Sequence, residues 1–194
     1  MEKKVFCPHC EQEALTYTVI RDGKEEICCL YCGMLLERLS DEKKPFVTNS
    51  GNTNKTIFYA DDSPFMRELL TDIFKEKKDV INDFITFDSG EALIYQFTKF
   101  LIEKKQVDLI ILDIRMPHLS GIGAANAIRA IEKAFNVKQA PFLFFSAKQA
   151  DDDLKKLIEH TAPSYYLNKG ATTNIDDLSK RLTASVLSIL GIPS

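Results

Sequence analysis

From Lys55 onward, short apolar runs alternate with longer segments in which apolar residues recur at helical spacing. The runs at 57–60, 81–87, 107–112, 142–145 and 165–167 predict five strands, and three of them are continuously apolar, the pattern of strands buried on both faces. The intervening segments 64–77, 89–105, 122–136, 150–161 and 174–190 predict helices. Ser63-Pro64 and Ser89 supply start signals, and Asp176-Asp177 places negative charge in a first turn. The result is a (βα)5 order, which places the region in the α/β class with a parallel sheet. Before Lys55 the pattern changes. Residues 16–20 and 25–28 alternate as a hairpin would, and residues 41–54 are polar, rich in turn formers and without periodicity, as in a linker.

Composition adds little to this division. The chain has 194 residues, 45% hydrophobic and 27% charged, with a net charge of −3, which suits one full domain (55–194) and a small module (1–40). No apolar core precedes Cys7 and no stretch reaches membrane-spanning length, so a cytoplasmic protein without membrane association is expected.

The cysteines change the picture more. All five lie between residues 7 and 32, in a module near the size at which an apolar core alone no longer suffices. Cys7-Pro8-His9-Cys10 and Cys29-Leu30-Tyr31-Cys32 form two C-x2-C pairs at the spacing of a zinc site, and four thiolates can surround one Zn2+ tetrahedrally. The segment resembles a zinc ribbon. Cys28 could replace Cys29 as a ligand, but two-residue spacing followed by Gly33 favours Cys29; His9 is expected to face solvent. Residues 1–39 carry five basic and seven acidic side chains, and four thiolates on zinc add further negative charge. Nucleic-acid binding is therefore disfavoured, and a protein contact or a structural role is expected of this module.

Ligands of open parallel sheets bind outside the carboxyl ends of the strands. Asp61 and Asp62 follow the first predicted strand, Asp113 the third, Ser146-Ala147 the fourth and Asn168-Lys169 the fifth. Converging carboxylates repel one another, and a hard divalent cation such as Mg2+ relieves that repulsion through oxygen ligands. One aspartate could then act as nucleophile toward a phosphoryl donor, with a lysine and a hydroxyl on the transferring oxygens.

With these motifs in order, residues 55 to about 190 resemble a response-regulator receiver domain of the chemotaxis-regulator type. Asp61-Asp62 followed by Ser63-Pro64-Phe65-Met66-Arg67 is similar to the family's first helix start. Leu112-Asp113-Ile114-Arg115-Met116-Pro117, with Gly121 beyond it, is similar to the phospho-acceptor signature. The resemblance implies a flavodoxin-like doubly wound sheet. It also implies that Asp113 accepts a phosphoryl group from a histidine kinase or phosphotransfer protein, with Mg2+ on Asp62, Asp113 and the Arg115 main-chain carbonyl, and Asp61 acting mainly through water. Ser146 would be the switch hydroxyl, Lys169 the phosphate-contacting lysine and Tyr166 the switch aromatic, turning inward on phosphorylation to alter a surface read by a downstream protein. A monomer or a phosphorylation-dependent dimer is expected, with no enzymatic activity beyond self-phosphorylation and self-dephosphorylation. Two departures stand out. Lys169 is followed by Gly170 where the family usually has proline, commonly after a cis bond, so altered kinetics are expected. Arg115 and Lys148 are both basic where the hydrolytic water would pass, which predicts slow self-dephosphorylation.

Competing motifs fall short. Gly121-Ile122-Gly123 follows its strand too late for a dinucleotide fingerprint, and Asn126 stands at the third glycine position. Asp113-Ile114-Arg115 lacks the second aspartate of haloacid-dehalogenase phosphatases. A DNA-binding regulator using the ribbon and a phosphorylation-independent scaffold are the alternative functions. Because the chain ends just after the fifth predicted helix, no appended DNA-binding domain is expected.

Overall fold

A computed structural model describes residues 4–7, 12–21, 24–30, 35–38, 55–147, 152–170 and 175–192. The chain divides into two compact units, one of residues 49–146 and one of residues 1–48 together with 147–194. The N-terminal strands are β1 (Val5–Cys7), β2 (Gln12–Ala14), β3 (Thr16–Arg21), β4 (Lys24–Cys29) and β5 (Leu35–Arg38). β1 and β2 pair antiparallel, as do β3 with β4 and β4 with β5. The alternating segments 16–20 and 25–28 fall on β3 and β4. Strands β1, β2 and β5 are too short to show a period in sequence.

The remaining elements follow in strict alternation: β6 (Lys55–Ala60), α1 (Pro64–Lys75), β7 (Ile81–Phe87), α2 (Gly90–Ile102), β8 (Leu109–Leu112), α3 (Gly121–Phe135), β9 (Phe142–Ser146), α4 (Asp152–His160), β10 (Ser164–Asn168) and α5 (Ile175–Leu190). The five strands form one sheet of order β10-β9-β8-β6-β7. β6 pairs in parallel with β7 and β8, and β8 with β9. Every residue of β8 and β9 is buried, which is why these strands read as unbroken apolar runs. β7, at the edge, is buried only at Ile81. Phe58 stacks edge-on with Phe87 and Phe100, joining β6, β7 and α2 through ring contacts of 5.0 and 4.9 Å.

The helices begin where short polar side chains satisfy their first N–H groups. Ser63 caps α1 by accepting from Met66 N–H, with Pro64 in the first turn, and Ser89 accepts from Ala92 N–H at the start of α2. Ser120 does the same for α3 through Gly123 N–H, a start one residue earlier than the sequence pattern suggests. Differences elsewhere are at ends: residues 76–80 form turns rather than prolonging α1, and β8 begins two residues later than expected. There the chain is tied to β6 before the strand begins, because Asp108 N–H donates to Thr56 O and the Asp108 carboxylate accepts from Thr56 N–H.

One buried charge fixes the α3–β9 connection. Glu132 is wholly buried. Its carboxylate accepts from the Arg129 guanidinium at 2.5 Å and from Ala140 N–H at 2.7 Å. The guanidinium in turn lies 4.0 Å from the centre of the Phe142 ring. Burial pushes the Glu132 carboxyl above its usual range, against the pull of Arg129, and lowers Arg129.

Candidate functional site

Parallel pairing of β6 with β8 places Ala60 opposite Leu112, so the residues just beyond the two strands meet at one edge. Asp113 N–H donates to Ala60 O at 2.9 Å, continuing the ladder by one rung. Asp61 N–H donates to Phe87 O at 3.1 Å on the other side. The result is a cluster in which ligand atoms of Asp61, Asp62 and Asp113 all lie within 4.8 Å of one another, the only such grouping among the described residues. Asp61 is fully buried, Asp113 is 8% exposed and Asp62 is open to solvent. The cluster is thus anchored in the core but reachable from outside.

Each buried carboxylate is held by identifiable donors. Asp61 Oδ1 accepts from Ser63 N–H at 2.9 Å, and Asp61 Oδ2 accepts from the Tyr59 hydroxyl at 2.5 Å. Arg67 Nη1 donates to the Asp61 carbonyl at 2.6 Å. Asp113 Oδ1 accepts from Arg115 N–H at 3.2 Å, while the Arg115 side chain is exposed. Burial, followed by the Asp61 carboxylate, pushes the Tyr59 hydroxyl far above its ordinary range, so it remains a donor.

Gly121 explains how the loop after Asp113 closes. Its N–H donates to Ile114 O at 3.1 Å. A β-carbon at this position would run into the Asp113 carbonyl and stand 2.9 Å from its carbon. Only glycine lets the start of α3 lie this close to the peptide of Asp113.

Ser146 ends β9 and is 1% exposed, with Ala147 exposed beyond it. Tyr166, Asn168 and Lys169 belong to the other compact unit. Tyr166 is fully buried, and its hydroxyl accepts from Asn168 Nδ2 at 3.1 Å. An exposed aromatic waiting to turn inward therefore does not describe this conformation. Lys169 is half-buried. The loop after it is shaped without proline: Gly170 takes φ 79°, its N–H donates to Asn168 Oδ1 at 2.6 Å, and Arg181 Nη2 donates to Asn168 O at 2.9 Å. Among the described residues the one cis peptide bond is Ala162-Pro163. Glycine adopts this left-handed φ at no steric cost.

Cys7 ends β1, Cys29 ends β4, and both are buried, as is Cys28. None of these three is in a disulfide. Cys10, Cys32, His9 and Lys148 lie outside the described residues, as does segment 41–54.

Two participants were not singled out in the sequence, Tyr59 and Arg67's reach to the Asp61 carbonyl. Tyr59 had a signal: residues two apart on a strand share a face, and a phenol two places before Asp61 in an otherwise apolar strand is poised to meet it.

An alternating α/β chain with three clustered acids at the strand ends defines a phospho-accepting signalling module of two-component systems. The chain belongs to the response regulator receiver domain family, whose model matches residues 57–183. It is 28% identical over 122 residues to a protein-glutamate methylesterase/protein-glutamine glutaminase of Methanococcus maripaludis, covering 62% of this chain but only 30% of that protein's length. Solved structures with the same fold include CheY of Borrelia burgdorferi, in a complex with CheX, BeF3 and Mg2+. That match has a TM-score of 0.55 and 22% identity and covers 70% of this chain and 88% of that one. The receiver domain of the histidine kinase CKI1 of Arabidopsis thaliana, with Mg2+, matches at TM-score 0.58 and 22% identity over 70% and 91%. The response regulator domain of Thermotoga maritima CheB matches at 0.55 and 20% over 73% and 99%. No helix among the described residues is long and apolar enough to cross a membrane.

Proposed function

We propose that Asp113 is the phospho-acceptor of this receiver and that its partner is a histidine kinase or phosphotransfer protein. The observation that carries the reading is the convergence of ligand atoms of Asp61, Asp62 and Asp113 within 4.8 Å, with Asp113 largely buried and Asp62 exposed. In the transfer, an Asp113 carboxylate oxygen bonds to phosphorus as the phosphorus–nitrogen bond of a phosphohistidine breaks, and the departing imidazole keeps the electron pair and takes a proton.

The donor set fits Mg2+: three hard oxygen donors, one of them solvent-facing, leave room for the waters this ion retains. Asp62, Asp113 and the Arg115 carbonyl would hold it, with Asp61 acting through water. When bound, the ion would offset the mutual repulsion of the carboxylates and the charge of the incoming phosphoryl group. Ser146 and Lys169 are assigned to the phosphoryl oxygens. Tyr166, already buried, is assigned to the switch surface read by a downstream protein. Exposed Arg115, with Lys148, is assigned to shielding the acyl phosphate, and a lifetime of seconds on the purified phosphoprotein would sink that assignment.

For residues 1–40 we propose a zinc ribbon with Cys7, Cys10, Cys29 and Cys32 as ligands, joined by linker 41–54 to the receiver at 55–194. Its support is the antiparallel β3–β4 pairing and the burial of Cys7 and Cys29 at strand ends. Four soft thiolates in two C-x2-C pairs suit Zn2+. Zinc measured on the full chain should be lost in Cys29→Ser and kept in Cys28→Ser; the reverse would move the ligand to Cys28.

The test of the whole reading is intact mass after incubation with Mg2+ and acetyl phosphate, repeated with a promiscuous histidine kinase. A phosphate adduct in the wild type, absent in Asp113→Asn, is expected. No adduct under either condition would replace this reading with a phosphorylation-independent scaffold.

A further inference from the structure

We propose that Tyr59 is a positioning residue for the metal end of this site, its hydroxyl clamping Asp61 so that Asp61 stays a weak, indirect partner of the ion. The inference rests on the Mg2+ reading above and deepens it.

Asp61 is held at both oxygens by donors on fixed elements. Tyr59, inside β6, is fully buried and gives its hydroxyl to Oδ2 at 2.5 Å, and Ser63, the cap of α1, gives its N–H to Oδ1 at 2.9 Å. The Tyr59 ring cannot swing away, since it lies against Phe84, 6.1 Å between centroids, and Phe84 lies against Phe74 at 4.7 Å. A carboxylate so gripped can neither rotate nor offer its full charge to an ion, because part of each oxygen's electron density is already committed to a hydrogen bond. Asp62, exposed one residue later, is then the member of this acidic pair that joins Asp113 in approaching the ion directly.

Removing the hydroxyl while keeping the ring has a predictable sign. In Tyr59→Phe a buried carboxylate oxygen loses one charge-assisted hydrogen bond in the metal-free protein, whereas in the bound protein the ion and its waters make good that loss. Mg2+ binding should therefore tighten, by roughly three- to tenfold for one charge-assisted hydrogen bond partly compensated by water. A residue that merely fills the core would shift stability equally with and without Mg2+ and leave affinity unchanged.

The experiment is calorimetric titration of Mg2+ into the full chain, wild type and Tyr59→Phe, in parallel with thermal unfolding at zero and saturating Mg2+. Tighter binding with a larger Mg2+-induced stabilisation in Tyr59→Phe is expected, and unchanged or weaker binding overturns the clamp. A wild type that binds no Mg2+ overturns the underlying site reading as well, which separates the two failures. Should Tyr59→Phe not fold, proton NMR of the wild type decides: the buried Tyr59 hydroxyl proton should move upfield as Mg2+ draws charge from Asp61. A resonance indifferent to Mg2+ overturns the proposal.

Discussion

Glu132 and Asp61 are both fully buried carboxylates of the same compact unit, and their surroundings differ in kind. Glu132 receives a guanidinium at 2.5 Å and a backbone N–H at 2.7 Å, and the guanidinium is itself covered by an aromatic ring. Asp61 receives a phenol and a backbone N–H, while Arg67 donates to its carbonyl, and two further carboxylates stand within 4.8 Å. The first arrangement answers charge with charge and closes a loop. The second gathers three carboxylates at one edge, an arrangement whose mutual repulsion a bound cation would relieve. A fold thus distinguishes a carboxylate used for architecture from one used for chemistry by what surrounds it, since burial is the same.

The comparison is best tested by removing charge from each region. Asp113→Asn should abolish the phosphate adduct while leaving the fold intact, with stability unchanged or raised by roughly 1 kcal/mol through relief of repulsion; a urea midpoint well below the wild type would break the contrast. Glu132→Ala should do the opposite. It takes the carboxylate away from a largely buried guanidinium and is expected to cost about 3 kcal/mol or more in urea unfolding, whereas Arg129→Met with Glu132→Leu should recover most of that. Between the two regions stands Gly121→Ala, which forces α3 away from the Asp113 peptide. It should cost about 1–3 kcal/mol and also slow phosphoryl uptake, read as the rate of adduct formation.

The smallest effect is in pH. Burial raises the folded-state pKa of Glu132 above its unfolded value, so the stability this group contributes is complete below the unfolded pKa and is lost as pH rises through the folded one. Measured against Glu132→Gln, the wild type should lose ground as pH rises from about 4 and level off above the folded value. A difference that grows in favour of the wild type over that range would mean that Arg129 outweighs burial.

What could be read in the sequence followed the strength of each physical signal. Strands β8 and β9 were legible because burial on both faces writes itself as a continuous apolar run, and the alternating order of the elements then brought Asp61, Asp62 and Asp113 to one edge without any knowledge of contacts. Helix starts at Ser63 and Ser89 were legible as capping chemistry. The Arg129–Glu132 pair was not, since two charged residues three apart on a helix usually face solvent, and nothing local shows that Ala140 returns to meet them. Tyr59 was overlooked for a related reason: in an apolar strand a tyrosine counts as core, and only the partner of its hydroxyl gives it a role. Gly121 was noted for its place in a motif, but its steric necessity depends on the path of Asp113.

Ser63 serves two masters. Its side chain caps α1 through Met66 N–H, its own N–H holds Asp61, and Arg67 in the same first turn holds the Asp61 carbonyl. Fraying of that turn and loosening of the acidic edge are therefore one opening event rather than two. Whatever steadies the acids should slow deuterium uptake at Ser63 and Met66 together, so the beginning of this helix would report the state of the site on the timescale of local unfolding.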